Sequence, residues 1–169
     1  MVLSIQAASE QQYTTLYGIM ALAGEHMHRV LNLSHWYPFP NSDWYVKHCE
    51  GRSVYAVYQD ALLVGTFMLS EKGEPYYTDD MSAYWHDVSA PSLYFSAFAL
   101  LPAVQQQGIG SWVMGEMDKL VVAQGHERVR FDAVANHLKL LYFYQRLGYR
   151  QCGELPVRNT AVMCYEKEF

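Results

Sequence analysis

Between Leu93 and Gln124 the chain passes from a strand-like apolar run, Leu93 to Leu101, through a turn holding Gly108 and Gly110, into a segment with Val113, Met117, Leu120 and Val121 on one helical face. A strand that feeds through a glycine turn into an amphipathic helix needs a sheet for the helix to cover, which restricts the chain to α/β or α+β architectures. The flanking patterns extend the scheme. Val2 to Ala8 reads as a first strand, and Ser9 with Gln12 three residues on forms a capping box ahead of helical spacing at Leu16, Ile19, Met20, Met27, Val30 and Leu31. An aromatic loop, His35 to Asn41, precedes a short helix from Asp43 to Glu50. Ser53 to Tyr58 and Leu62 to Leu69 read as a hairpin turning at Gln59-Asp60. Residues 71–91 carry no regular period.

Val129 to Val134 reads as a strand, Leu138 to Leu147 as a helix closed by Gly148, and Tyr149 to Leu155 and Ala161 to Phe169 as two final strands. The expected order is β-α-α-β-β-β-α-β-α-β-β, a mixed, mostly antiparallel central sheet with helices on its faces, an α/β (α+β) sandwich. At 169 residues, with no internal repeat or Gly/Ser linker, one domain over residues 1–169 is expected.

The turn Leu101-Pro102-Ala103-Val104-Gln105-Gln106-Gln107-Gly108-Ile109-Gly110-Ser111 is where chemistry concentrates. Unpaired N–H groups and a partial positive charge make a helix N-terminus an anion site, and glycines let an anion come close to the backbone. Nucleotide readings fail at named positions. A Walker A loop needs Gly-Lys-Ser/Thr, which is missing, and a dinucleotide fingerprint needs a third glycine where Val113 stands.

The spacing Gln105-x-x-Gly108-x-Gly110 resembles the pyrophosphate-binding motif of the GNAT (GCN5-related N-acetyltransferase) family. Tyr144-Gln145-Arg146-Leu147-Gly148-Tyr149, behind the strand Phe131-Asp132-Ala133-Val134-Ala135-Asn136, is similar to the family's Tyr-x-x-Leu-Gly-aromatic signature. The resemblance implies acetyl-CoA as co-substrate and direct acetyl transfer to a primary amine of a small molecule or peptide, without a metal. It implies that backbone at Phe98, Ala99 and Leu100 pairs with the pantetheine arm and that the segment from Gln105 to Ser111 binds the cofactor's pyrophosphate. The pyrophosphate would rest on the amides of Gln106, Gln107, Gly108, Ile109, Gly110 and Ser111, with Tyr144 near the cofactor sulfur. The family has an Asn seven residues before this Tyr; here that position is His137, with Asn136 one step earlier, so either Asn136 serves or the contact is absent. A CoA-binding sensor or accessory module without catalysis is the alternative.

Acyl transfer from a thioester needs a neutral amine, a stabilised oxyanion and a protonated leaving thiolate. Backbone N–H groups on a distorted strand serve the second need without a sequence trace. Tyr144 suits the third, since a phenol with a pKa of about 10 can donate to a thiolate; its other reading is an aromatic core cluster with Tyr142 and Phe143. The strand Leu93 to Leu101 holds no Asp, Glu or His, so the base is sought among His86, Asp87, Glu71, Asp79 and Asp80, or in a water chain. Tyr76, Tyr77, Tyr84 and Trp85 could wall an acceptor pocket with Trp36 and Tyr37, or simply anchor loops.

Composition narrows the partners. A net charge of -5 without a Lys/Arg-rich block argues against nucleic acid, and the longest apolar run, Leu93 to Val104, is too short to span a bilayer. Cys49, Cys152 and Cys164 form no CxxC pair and read as reduced thiols; with no basic-then-apolar segment after Met1, a cytoplasmic location is expected. His26 with His28 and His48 with Cys49 lack ligand spacing, so no metal site is expected. A homodimer through edge pairing of the last strand stays open.

Overall fold

The computed structural model describes residues 1–77 and 80–169. The elements are β1 (Leu3–Ala7), α1 (Tyr13–Leu31), α2 (Ser42–Cys49), β2 (Ser53–Gln59), β3 (Leu62–Ser70), β4 (Ser92–Leu100), α3 (Ile109–Ala123), β5 (Arg128–Val134), α4 (Leu138–Arg146), β6 (Arg150–Val157) and β7 (Thr160–Glu168). The expected order is reproduced. The fold is mixed α/β; among the described residues there are four α-helices and seven strands, the strands hydrogen-bonded in the order β1-β2-β3-β4-β5-β7-β6. The β4–β5 ladder is parallel, whereas β1–β2, β2–β3, β5–β7 and β6–β7 are antiparallel. β7 is therefore bonded on both sides, by β5 and by β6. This corrects the expectation that the last strand offers a free edge for dimerisation; β6 takes the outer place.

The chain divides into two compact units, Met1–Ser70 with Ser96–Glu116, and Glu71–Phe95 with Met117–Phe169. In the first, Leu16, Ile19, Met20 and Ala23 of α1 pack with Tyr45 and Cys49 of α2 and with Val54, Ala56, Met68 and Ala99 of the strands. The helical stripe is shorter than the sequence pattern suggests. Val30 and Leu31 are exposed, because α1 ends at once on Asn32, which takes a left-handed conformation (φ 54). The Ser9 N–H donates to Gln12 Oε1 at 3.0 Å, as the capping box requires, but it heads a short 3-10 turn before α1. Asn41 caps α2 by accepting the Trp44 N–H at 2.9 Å, so the helix begins a residue earlier than expected. The hairpin turns at Asp60 and Ala61, both at positive φ, rather than at Gln59-Asp60. At Gly65 of β3 an added Cβ would come within 2.5 Å of Leu100 and 2.8 Å of the Ala99 carbonyl, so only glycine lets β4 approach here.

In the second unit Phe131 stacks on Tyr165 (5.3 Å) and meets the edges of Tyr144 and Tyr149 at 4.8 and 5.0 Å. Tyr149 and Lys167 share Asp118 of α3, each at 2.6 Å. Residues 71–91, apart from the undescribed 78–79, hold neither helix nor strand. They are fastened instead by side chains. Trp85 and Met81 pack on Leu155, Val162 and Cys164, and the buried Glu166 accepts the His86 N–H at 3.3 Å. Glu166 also pairs with Arg130 (2.8 Å), Arg150 (2.7 Å) and Arg128 (3.6 Å), and Arg130 donates to the Asp87 carbonyl.

Burial alone would raise the Glu166 carboxyl, but hydrogen bonds from Arg130 and Arg150 outweigh it and hold the group below the ordinary glutamate range. Its stabilisation is therefore complete above the unfolded pKa of about 4.3 and is lost as pH falls through the lower folded value. Replacing Glu166 by Gln strands a buried guanidinium, so chemical denaturation should register a loss of about 3 kcal/mol at pH 7. That deficit should shrink as the wild type is acidified; a stability equal to wild type at pH 7 would contradict the network's role.

Candidate functional site

The turn picked out in sequence lies in the first unit. β4 carries a left-handed alanine, Ala97 (φ 50), a conformation that costs a non-glycine residue on the order of 1 kcal/mol. A strand distorted in this way can turn backbone N–H groups toward an oxyanion. Phe98 is half-buried, whereas Ala99 and Leu100 are buried, and the Leu101 N–H bonds the Val64 carbonyl at 2.8 Å.

After a 3-10 turn at Pro102–Val104, the Gln105 side chain reaches back and donates through Nε2 to the Leu100 carbonyl at 3.0 Å. Gln107 donates to the Ala103 carbonyl at the same distance. Gln105 therefore ties the turn shut, and Gln107 braces it. Gln106 and Gly108 are left-handed, with φ of 61 and 83, and alternation of this kind turns successive N–H groups into anion-binding concavities. Gln106, Gln107 and Gly108 are exposed, while Ile109 is buried and anchors the start of α3. The first α3 bond runs from the Trp112 N–H to the Gly108 carbonyl at 3.1 Å. The amides of Ile109, Gly110 and Ser111, in the first turn, thus precede the helical ladder and gather the positive end of the helix dipole.

Tyr144 lies in the second unit, on α4, closed among Phe131, Phe143, Tyr149 and Tyr165 and buried. Burial raises its phenol above the ordinary value, helped by Tyr165 and the charge of Asp132. It stays protonated through the neutral range and is a weaker acid than a free phenol. The aromatic surroundings are those of the core cluster that is the other reading of Tyr144. Tyr142 points to solvent, 62% exposed. Asn136 is exposed in the turn after β5, and His137 begins α4 without a side-chain cap; burial, then Lys139, lowers its imidazole.

The base candidates fare differently. Asp87 accepts the Ser89 N–H (3.0 Å) and hydroxyl (2.6 Å), and exposed Asp80 accepts the Ser82 N–H (2.9 Å), so both close local turns. Glu71 is exposed beside His126, 3.7 Å away; Asp79 lies outside the described residues. Of the aromatics named for a pocket, Tyr77 and Trp85 line a cavity in the second unit, and in the first Trp36 packs among the α1 core residues while Tyr37 stacks on His28 at 4.1 Å. Asp132, absent from the sequence-based candidates, accepts two tyrosine hydroxyls on its carboxylate at 2.8 Å. Its signal was one acid inside the otherwise apolar stretch Phe131 to Val134.

A model of the acetyltransferase (GNAT) family matches residues 19–149. The chain belongs to the GNAT acetyltransferase family. Solved GNAT structures share its fold. One is a GNAT acetyltransferase from Listeria monocytogenes, 15% identical with a TM-score of 0.73 over 99% of this chain and 95% of that one. Another is a GNAT acetyltransferase from Elizabethkingia anophelis with acetyl-CoA bound, 13% identical with a TM-score of 0.66 over 99% and 98%. A spermidine N-acetyltransferase chimera from Vibrio cholerae is 13% identical, with a TM-score of 0.68 over 98% and 95%. No curated protein matches the sequence. Among the described residues no helix is long and apolar enough to cross a membrane.

Two glycines, one just ahead of α3 and one within it, separate strain from propensity. Gly108→Ala forces a Cβ onto a left-handed residue and should cost about 1 kcal/mol, although no atom lies within 4 Å. Gly115→Ala, mid-helix and equally unobstructed, should gain about 1 kcal/mol. Equal shifts in the two unfolding curves would mean that the GNAT turn is not held in the left-handed form.

Proposed function

We propose that the chain acts as one acetyl-CoA-dependent N-acetyltransferase domain that moves an acetyl group directly to a primary amine of a small molecule or peptide in the cytoplasm. The observation that carries this reading is the exposed turn at Gln106–Gly108 running into the unpaired first amides of α3. Its left-handed residues and positive helix end suit a pyrophosphate, and no side chain is needed to hold one. Gln105 keeps the turn closed, and backbone at Phe98, Ala99 and Leu100 is proposed to pair with the pantetheine arm. Asn136 is proposed to contact the cofactor.

In this reading the amine nitrogen attacks the thioester carbonyl, backbone N–H groups steady the oxyanion, and the sulfur leaves as a thiolate. Tyr144 donates a hydrogen bond to that sulfur. Its raised phenol makes it a donor rather than a strong acid, which places its contribution toward the low end of general-acid effects. The reading draws support from family membership and from the relatives that were solved with acetyl-CoA.

Thiol release from acetyl-CoA over a panel of primary amines tests it. Gly110→Asp, by steric block and like charge, should weaken acetyl-CoA binding by about 2–3 kcal/mol in calorimetry of the folded protein. Tyr144→Phe should bind acetyl-CoA normally yet lose about 10²-fold in kcat with little change in KM, while Tyr142→Phe stays at the wild-type rate. Unchanged affinity in Gly110→Asp overturns the pyrophosphate turn. Full single-turnover rates in Tyr144→Phe leave that residue a core aromatic, and tight binding without transfer to any amine favours a CoA-binding sensor.

A further inference from the structure

Asp132 has no part in the scheme so far, yet its surroundings are specific. It stands in the middle of β5, opposite Cys164 of β7, and its Oδ2 accepts both the Tyr76 and the Tyr77 hydroxyls at 2.8 Å. Two phenols on one carboxylate oxygen orient that oxygen and connect it to the loop. The Tyr77 ring does a second thing. It meets Trp85 edge-on at 5.6 Å, lies 5.8 Å from Tyr94, and with them lines a cavity of about 310 Å³ whose other walls include Glu74, Asp80 and Met81. That volume is at the lower end of small-ligand sites.

Aromatic faces and carboxylates together attract cations and repel anions. The Ser82 hydroxyl and N–H hold the Asp80 carboxyl below the usual range, so it is charged at neutral pH. Arg130 lies over Trp85 at 5.5 Å and is already neutralised by Glu166 at 2.8 Å.

We infer that this cavity takes a cationic amine as acceptor and that Tyr77 passes the amine's proton to Asp132. The inference rests on the acetyltransferase reading and names its acceptor and its base. The attacking nitrogen is a neutral end of the amine, its ammonium proton already lost to solvent, while a second, charged end lies against the rings. As the nitrogen–carbon bond forms and the carbon–sulfur bond breaks, the remaining surplus proton on nitrogen moves to the Tyr77 oxygen. The Tyr77 hydroxyl proton moves to Asp132 Oδ2, the sulfur leaves with the electron pair, and water later removes the proton from Asp132. Tyr77 touches the acceptor, and Asp132 acts through it.

The titration of Asp132 agrees with the geometry. Burial pushes its carboxyl up to about 6, against the Tyr76 and Tyr77 hydrogen bonds, and the charge of Glu74 adds to the rise. The other titratable groups facing it, Cys164 on β7 and Tyr144 on α4, are themselves raised by burial and by Asp132, and stay neutral. A proton acceptor works when ionised, so activity should climb as pH rises through about 6, in the range where general bases are effective.

The test measures thiol release from acetyl-CoA with 1,4-diaminobutane and with 4-aminobutyrate, a probe of similar length with an anionic end, from acid to mildly alkaline pH. The diamine should exceed the amino acid in kcat/KM by about tenfold. Asp132→Asn should lose the limb near pH 6 and about 10²–10⁴-fold in rate, with acetyl-CoA affinity unchanged in calorimetry. Tyr77→Phe, which keeps the ring and cuts the relay, should lose the same limb. A wild-type pH profile in folded Asp132→Asn, a preference for 4-aminobutyrate, or no turnover of either amine by an acetyl-CoA-binding protein overturns the inference.

Should the Asp132 variant fail to fold, diamine-induced quenching of tryptophan fluorescence, lost in Trp85→Phe, tests the cavity in the wild type, and its absence is equally fatal. Failure of the wild type to bind acetyl-CoA at all strikes instead at the acetyltransferase reading, and leaves the fluorescence result to judge the cavity alone.

Discussion

The buried carboxylate of Glu166 organises the second unit. Arginines from β5 and β6 and a loop amide converge on it, so an irregular stretch of about twenty residues is bolted to strands it could not join by backbone pairing. A buried carboxylate is costly on its own; it is stable here because each oxygen meets a charged donor. The same attachment fixes where the loop's aromatic rings lie. Trp85 sits beneath the Arg130 guanidinium, and Tyr77, packed on Trp85, is held with its hydroxyl on Asp132. An electrostatic network that looks purely structural therefore helps to position the cavity and the tyrosine that reaches Asp132.

The first unit solves its problem with backbone. The left-handed residues Gln106 and Gly108, the buried anchor Ile109 and the tie from Gln105 to Leu100 shape the turn, and none of them brings a charge. A site built from amides is preorganised by the fold and needs no side chain to reorient when an anion arrives. It also means that most substitutions at Gln106 or Gln107 should be mild, while those that refill the glycine positions should not.

Local features were the legible part of the sequence. Two glycines at fixed spacing between an apolar strand and an amphipathic helix marked the turn, and the element order followed from hydrophobic period and turn residues. What escaped was non-local. The last strand reads the same whether it lies at an edge or between β5 and β6, because both environments ask for alternating apolar residues. The end of the α1 stripe was misplaced because Val30 and Leu31 continue the period after the core has stopped. Residues 71–91 have no period, and the described ones, such as Met81, Trp85 and His86, are held by partners far away in the chain. Asp132 was hidden for a related reason. Within its strand it is a lone acid, and only the fold brings Tyr76 and Tyr77, more than fifty residues distant, onto it.

The central claim is that backbone amides at the start of α3 hold the cofactor's pyrophosphate. Backbone amide NMR of the protein titrated with CoA reads those groups one by one. The amides of Gly108, Ile109 and Gly110 should move strongly downfield as charged hydrogen bonds form, while that of Gly125, beyond the other end of α3, should stay in place. Saturable CoA binding that leaves the three amides unmoved would contradict it.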